Sequence, residues 1–255
     1  MPIRPIALFL LLLCSWSARA DEVTVAAAAD LNFAFQEIAA GFEKQTGHRL
    51  RISYGSSGNF FAQIQSGAPF DAFFSADAEY PRKLEAGGLA QPGSVYVYAI
   101  GRIVIWAPRG TLDFDREGMR ALLHPVVRRI AIANPKHAPY GRAAVAALKH
   151  FGIYEQVEPK LVYGENVAQA AQFVESGNAQ AGILARSLAS APQMKDHGDL
   201  WLIPEEAHPR LEQAAVILRK ARSPQAAKAL LDYLRGREGQ AILKRYGFQP
   251  PEKKP

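Results

Sequence analysis

Two glycines and two serines, Gly55-Ser56-Ser57-Gly58, follow the alternating run Leu50-Arg51-Ile52-Ser53 and precede a helical stretch, a placement suited to anion chemistry. Backbone N–H groups at a helix start lack intrahelical acceptors and sit at the positive end of the helix dipole, so small hydroxylated residues there make a landing place for an anion. The same residues also fit an ordinary cap, because serine is a favoured N-cap and glycine permits the tight turn out of a strand. Other chemistries find no residues to carry them. The six histidines show no H-x-x-x-H spacing, no P-loop or G-x-G-x-x-G is present, and Asn59 stands where a G-x-S-x-G nucleophile elbow needs its second glycine. Asp71 and Asp77 bracket an apolar strand, with Asp77 in position to cap the helix that follows. The protein is therefore read as no enzyme, with no cofactor and no metal-cation ligands.

The elements that must position such a site alternate along the chain. An apolar strand from Glu22 to Ala29 runs into a helix over Leu31 to Thr46, in which Leu31, Phe35, Ile38, Ala39 and Phe42 share one face and Gly47 ends it. Next come a strand from Arg49 to Ser53, the serine turn, a helix to Gln65, and the buried strand DAFFSAD. The second half repeats the unit: RRIAIANP, the turn KHAPYG, a helix from Arg142 to Phe151, then PKLVYG, a helix from Asn166 to Ser176, and QAGIL. Strand, turn, helix in repetition predicts an α/β fold with mostly parallel sheets, and in such sheets ligands bind where strands end and helices begin. Ser94–Pro108 is too long for one ordinary strand. With the similar stretch Leu211–Lys220 it predicts two lobes joined by a two-stranded hinge, the ligand lying in the cleft between them. Two amphipathic helices, Pro224–Leu234 and Glu238–Tyr246, close the fold, ahead of a QPPEKKP tail.

The first twenty residues carry Arg4, an apolar run from Ile6 to Cys14 and Ala18-Arg19-Ala20, the marks of a cleaved secretory signal. Residues 1–20 are assigned to that signal, 21–99 with 214–250 to a first lobe, 100–213 to a second and 251–255 to a tail. Cys14, the single cysteine, leaves with the signal, so the mature chain must be held by its core and not by disulfides. Its 28 basic and 24 acidic residues leave a net charge of +4, which suits small anions and is too scattered for nucleic acid.

VTVAAAADLNFAFQEIAAGFEKQTG, GSSGNFFAQIQSGAPFDAFFSAD, YAIGRIVIWAP, ANPKHAPYG and ENVAQAAQFVESG occur in that order over nearly the whole mature chain. Together they resemble the periplasmic molybdate-binding proteins of ABC transporters, whose fold is the two-lobed periplasmic-binding-protein class with two crossovers. The resemblance implies capture of molybdate, and of tungstate, by a monomer in the periplasm, and delivery to a membrane permease. It implies that the oxyanion is held without counter-charges by main-chain N–H groups and hydroxyls. Carried onto this chain, the contacts are Ala29 and Asp30, Ser57, Tyr140, and Val167 through its backbone. Asp30 departs from that scheme, because a carboxylate would repel a dianion. One reading has Asp30 cap its own helix with its side chain turned away; the other has it accept a proton from a monoprotonated oxyanion, which would favour phosphate. Binding of another oxyanion such as sulfate or phosphate, or a sensor or hydrolase on the same scaffold, are the competing readings.

Overall fold

A computed structural model describes residues 20–251; residues 1–19, within the segment expected to be a signal, and residues 252–255, within the expected tail, lie outside the described residues. The first sheet contains β1 (Glu22–Ala28), β2 (Arg49–Gly55), β3 (Ala72–Ser75) and β4 (Tyr96–Gly101). The second contains β5 (Ile103–Pro108), β6 (Ile130–Ala133), β7 (Leu161–Gly164), β8 (Ala181–Ala185) and β9 (Gly198–Leu202), after which β10 (Leu211–Ile217) returns to the first. Strand orders are β2-β1-β3-β10-β4 and β7-β6-β8-β5-β9. Each sheet therefore has three parallel strands, one reversed strand and a fifth strand beside it. In each sheet four strands point one way and a single strand, β10 or β5, runs against them, so strand directions are mostly parallel, as the strand–helix alternation requires.

Helices cover the sheets: α1 (Asn32–Thr46), α2 (Ser57–Gln65), α3 (Glu79–Ala86), α4 (Phe114–Glu117), α5 (Pro139–His150), α6 (Tyr154–Val157), α7 (Val167–Glu175), α8 (Arg186–Ala189), α9 (Pro192–Lys195), α10 (Pro224–Arg235) and α11 (Arg237–Arg245). In α1 the stripe Ala34, Phe35, Ile38 and Phe42 is buried, and Gly47 stops the helix in the left-handed region at φ 75°. Leu31 is buried too, but it belongs to a short 3-10 turn, Ala29–Leu31, that precedes α1. The helix expected from Arg142 starts three residues earlier, at Pro139, because proline suits the first helical position. That shift places Tyr140 in the first turn.

The long extended run divides at Arg102, where the chain leaves one sheet for the other, and the fully buried Ile103–Ala107 becomes the middle of the second core. The second crossing is 203–210. It is not Leu211–Lys220, as the sequence suggests, because Leu211 and Glu212 already pair with Gly101 and Ile100 of β4. Residues 100–101 and 211–213 thus sit in the first sheet, a correction to the boundaries drawn from sequence.

Asp71 locks the first sheet to α10. Its Oδ2 accepts from the N–H and hydroxyl of Thr24, both at 2.7 Å, and its Oδ1 accepts from the N–H groups of Arg222 at 2.5 Å and Ser223 at 3.1 Å. Burial works to raise its pKa, but the bonds from Thr24, Ser223 and Arg222 prevail and hold it below the usual carboxylate value. Since hydrogen bonds to charged groups contribute about 1.5–3 kcal/mol each, Asp71→Ala should destabilise the protein by about 2–4 kcal/mol. The depressed pKa means that this stabilisation is complete above the unfolded carboxylate pKa and fades as pH falls through the lower folded value. Urea unfolding at pH 7 and pH 3 checks both: the variant and the parent protein should differ less at the lower pH.

Candidate functional site

Four strand-to-helix turns, two from each sheet, converge on one small cavity of about 10 Å³: those after β1, β2, β6 and β7. All five residues singled out in the sequence, Ala29, Asp30, Ser57, Tyr140 and Val167, line it. Ala76, at the end of β3, completes the floor. No lysine, arginine or histidine is among the lining residues.

What the cavity offers follows from how each helix start is capped. On α2, the Ser56 side chain accepts from Asn59 N–H, and Gly58 N–H donates to the His137 carbonyl at 3.0 Å, which leaves the amide of Ser57 at the first helical position. Ser57 Oγ accepts from Ala76 N–H at 2.9 Å, so its own proton remains to be donated. On α7, Asn166 Oδ1 accepts from both Ala168 and Gln169, each at 3.0 Å, and the amide of Val167 is the one left over. On α5, the cap residue Ala138 has no polar side chain, Pro139 has no N–H, and Gly141 and Arg142 donate to the Ala138 carbonyl. Tyr140 N–H is the remaining first-turn donor there. These three turns thus satisfy their own helices apart from one amide each, and those amides belong to residues that line the cavity.

The side chains of Asp30 and Tyr140 do not behave as the sequence suggests. Asp30 caps nothing: it is the middle residue of the 3-10 turn, which has no side-chain cap. Its Oδ2 instead accepts from Tyr140 Oη at 2.9 Å and from Gln213 Nε2 at 2.5 Å. Gln213 is fixed in that orientation because its Oε1 accepts from Tyr98 Oη at 2.8 Å. Tyr140 Oη also accepts from Gln213 Nε2 at 3.0 Å, so this hydroxyl is committed to the network. Asp30 Oδ1 is buried with no hydrogen-bond partner among the described residues. Burial raises the Asp30 pKa to about 6 against the opposing pull of Gln213, Tyr140 and its own amide.

The two sheets meet tightly around the cavity. Besides the Gly58–His137 bond, Ser56 Oγ and His137 Nδ1 share a 2.9 Å hydrogen bond, Arg142 Nη2 pairs with Asp77 at 2.6 Å, and Ser187 Oγ donates to the Asp30 carbonyl at 2.7 Å. Asp77 also accepts from Glu79 N–H at 3.0 Å, but it stands one residue before the N-cap expected of it, a position that Ala78 occupies without a side-chain cap. Ala28, Ala29 and Ala76 of the first half pack into the core of the second.

Sequence reasoning misses Gln213, Tyr98, His137 and Arg142. Gln213 leaves only a faint trace, as a polar residue directly before the apolar run AAVIL; it is fully buried. The other three have no local signal.

Residues 23–249 match the family described as bacterial extracellular solute-binding protein. The chain is 40% identical over 242 residues to the molybdate-binding protein ModA of Rhodobacter capsulatus, covering 95% of this chain and 94% of that protein. It is 41% identical over 236 residues to ModA of Azotobacter vinelandii, covering 92% of this chain and 93% of that protein. The solved structure of the Azotobacter vinelandii periplasmic molybdate-binding protein superposes with a TM-score of 0.85 at 35% identity, over 90% of this chain and all of that one. A two-lobed fold, a cavity lined at its helix starts by donors, and relatives of this closeness over nearly the full length agree: the chain is a binding protein and not an enzyme, and it belongs to the bacterial extracellular solute-binding family.

Proposed function

We propose that this protein is exported through a cleaved signal to the periplasm, captures molybdate and tungstate as a monomer in the cavity between its sheets, and hands them to the membrane permease of an ABC importer. The observation that carries this reading is the convergence of first-turn amides of Ser57, Tyr140 and Val167, with the Ser57 hydroxyl, on a cavity without lysine, arginine or histidine. A fully ionised tetrahedral oxyanion only accepts hydrogen bonds, so a wall of donors satisfies it and a buried acceptor would be left facing it unpaired. Charge-assisted bonds of this kind contribute about 1.5–3 kcal/mol each. Because the donors come from both sheets, the full set exists only when the sheets close on the ligand. The names of the relatives support molybdate in particular.

Calorimetric titration of the protein from Asp21 with molybdate, tungstate, sulfate and phosphate tests the reading. Molybdate and tungstate should bind tightly, and sulfate, whose shorter bonds leave donors out of reach, far more weakly. Sulfate binding at equal affinity, or phosphate in preference to both, would reassign the ligand.

A further inference from the structure

Asp30 has one carboxylate oxygen saturated and the other buried with nothing to bond. Oδ2 takes two donors, Tyr140 Oη and Gln213 Nε2, both fixed by the network behind them. Oδ1 has no partner, and the residue, 1% exposed, lines the cavity. A carboxylate with a bare buried oxygen next to a dianion combines two unfavourable features, a desolvated charge and a like-charge neighbour. A carboxylic acid removes both. Its carbonyl oxygen keeps the two donors at Oδ2, and its hydroxyl at Oδ1 becomes one more donor in a cavity of donors.

We propose that oxyanion capture by this protein takes up one proton from solvent, which resides on Asp30 Oδ1 and is donated in a hydrogen bond to a ligand oxygen. The inference rests on the oxyanion-binding reading above. It differs from a carboxylate that accepts a proton from the ligand, because here the anion arrives fully deprotonated and the proton comes from water. Selectivity follows: an anion bearing its own proton would set one O–H against another and lose a hydrogen bond.

The groups around Asp30 do not supply the proton or hold the carboxylate ionised. Tyr98 on β4 and Tyr140 on α5 reach it, and burial raises both pKa values well above the usual tyrosine value, so both stay neutral. Tyr54 on β2 is likewise pushed up to about 12 by burial. Charged residues on the packed elements are engaged elsewhere: Arg142 of α5 with Asp77, Glu212 of β10 with Arg82, and Glu37 of α1 with Arg245 and Tyr246. Arg186 of α8 lies beside Gly247, and Glu175 is at the far end of α7. His137 at the rim is bonded to Ser56 and Glu165. With no cation at hand, the buried carboxyl titrates near pH 6 before ligand arrives, and a dianion beside it drives the pKa higher.

The sign is fixed by linkage: between the free and liganded pKa values the complex binds one more proton than the free protein, so affinity falls roughly tenfold for each pH unit above 6 and is flat below it. Titration of the unmodified protein with sodium molybdate at pH 7.5, in buffers of different ionisation enthalpy, counts protons directly. The expected result is uptake approaching one, abolished in Asp30→Asn and retained in His137→Gln. Molybdate binding with no proton uptake and a Kd constant from pH 6 to pH 8 overturns the proposal, as does uptake that survives Asp30→Asn and disappears in His137→Gln. Preferential phosphate binding without uptake also overturns it, in favour of an acceptor carboxylate. If none of the oxyanions binds at either pH, the functional reading itself fails and the inference with it. Should Asp30→Asn not fold, the proton count on the unmodified protein decides.

Discussion

Replacing Gly58 with alanine is expected to lower molybdate affinity by roughly two to four orders of magnitude while leaving the unliganded protein as stable or slightly more so. Gly58 stands where the two sheets touch: a Cβ there would lie 2.5 Å from the His137 carbonyl oxygen and 3.1 Å from its Cα. Backbone cannot yield as a flexible side chain does, so closure stops short. The amides of Tyr140 and Val167, both from the second sheet, then stay out of reach of an anion held by the first. Two charge-assisted bonds at about 1.5–3 kcal/mol each account for the expected loss. Meanwhile alanine is the better helix former by about 1 kcal/mol, so instability cannot explain the weakened binding. Titration with molybdate, thermal unfolding without ligand, and small-angle scattering with and without ligand give the three readings. Unchanged affinity with normal compaction would mean that the closed arrangement described here is not the liganded one.

The second large effect concerns a residue whose side chain does not matter for the ligand. Val167→Pro deletes an amide and should cost roughly ten- to a hundredfold in affinity, the equivalent of one charge-assisted bond, with a further loss because the ring occupies the amide's place. The helix should tolerate it. Val167 is the first residue of α7, where proline is favoured, and Asn166 before it is extended at φ −148° and ψ 176°, as a residue preceding proline requires. Val167→Ala is the contrast, since it keeps the amide and trims the buried side chain: stability should drop, and affinity should change less than tenfold. If the two variants bind molybdate equally well, the α7 amide is not a ligand donor.

Local features carried most of what could be read from the sequence. The stripe Phe35, Ile38, Phe42 and the stop at Gly47 are set by helical spacing and one backbone angle, and α1 follows from them. The turns bearing Ser57 and Val167 are each contained in a few residues. The partners of Asp30 could not be found that way, because Tyr140 and Gln213 are 110 and 183 positions distant. Its expected capping role failed for a physical reason: the 3-10 turn draws Asp30 into a helical turn and aims its carboxyl at buried donors from α5 and β10. The short elements α8, α9 and β9 went unseen because four or five residues are too few to display a period.

The place of β10 governs the order in which the molecule can be made. It lies between β3 and β4, pairing with both, although its residues are synthesised more than a hundred positions after theirs. The second sheet is uninterrupted from Ile103 to Leu202, so its core can assemble as soon as that stretch is free. The first must keep a gap, with β4 unable to join β3, until residues 211–217 arrive to fill it. Pairings of such long sequence separation form slowly, and until then the unfilled edges of β3 and β4 are open to other chains. In a chain exported as proposed above, the half encoded second is therefore the first whose sheet can be completed.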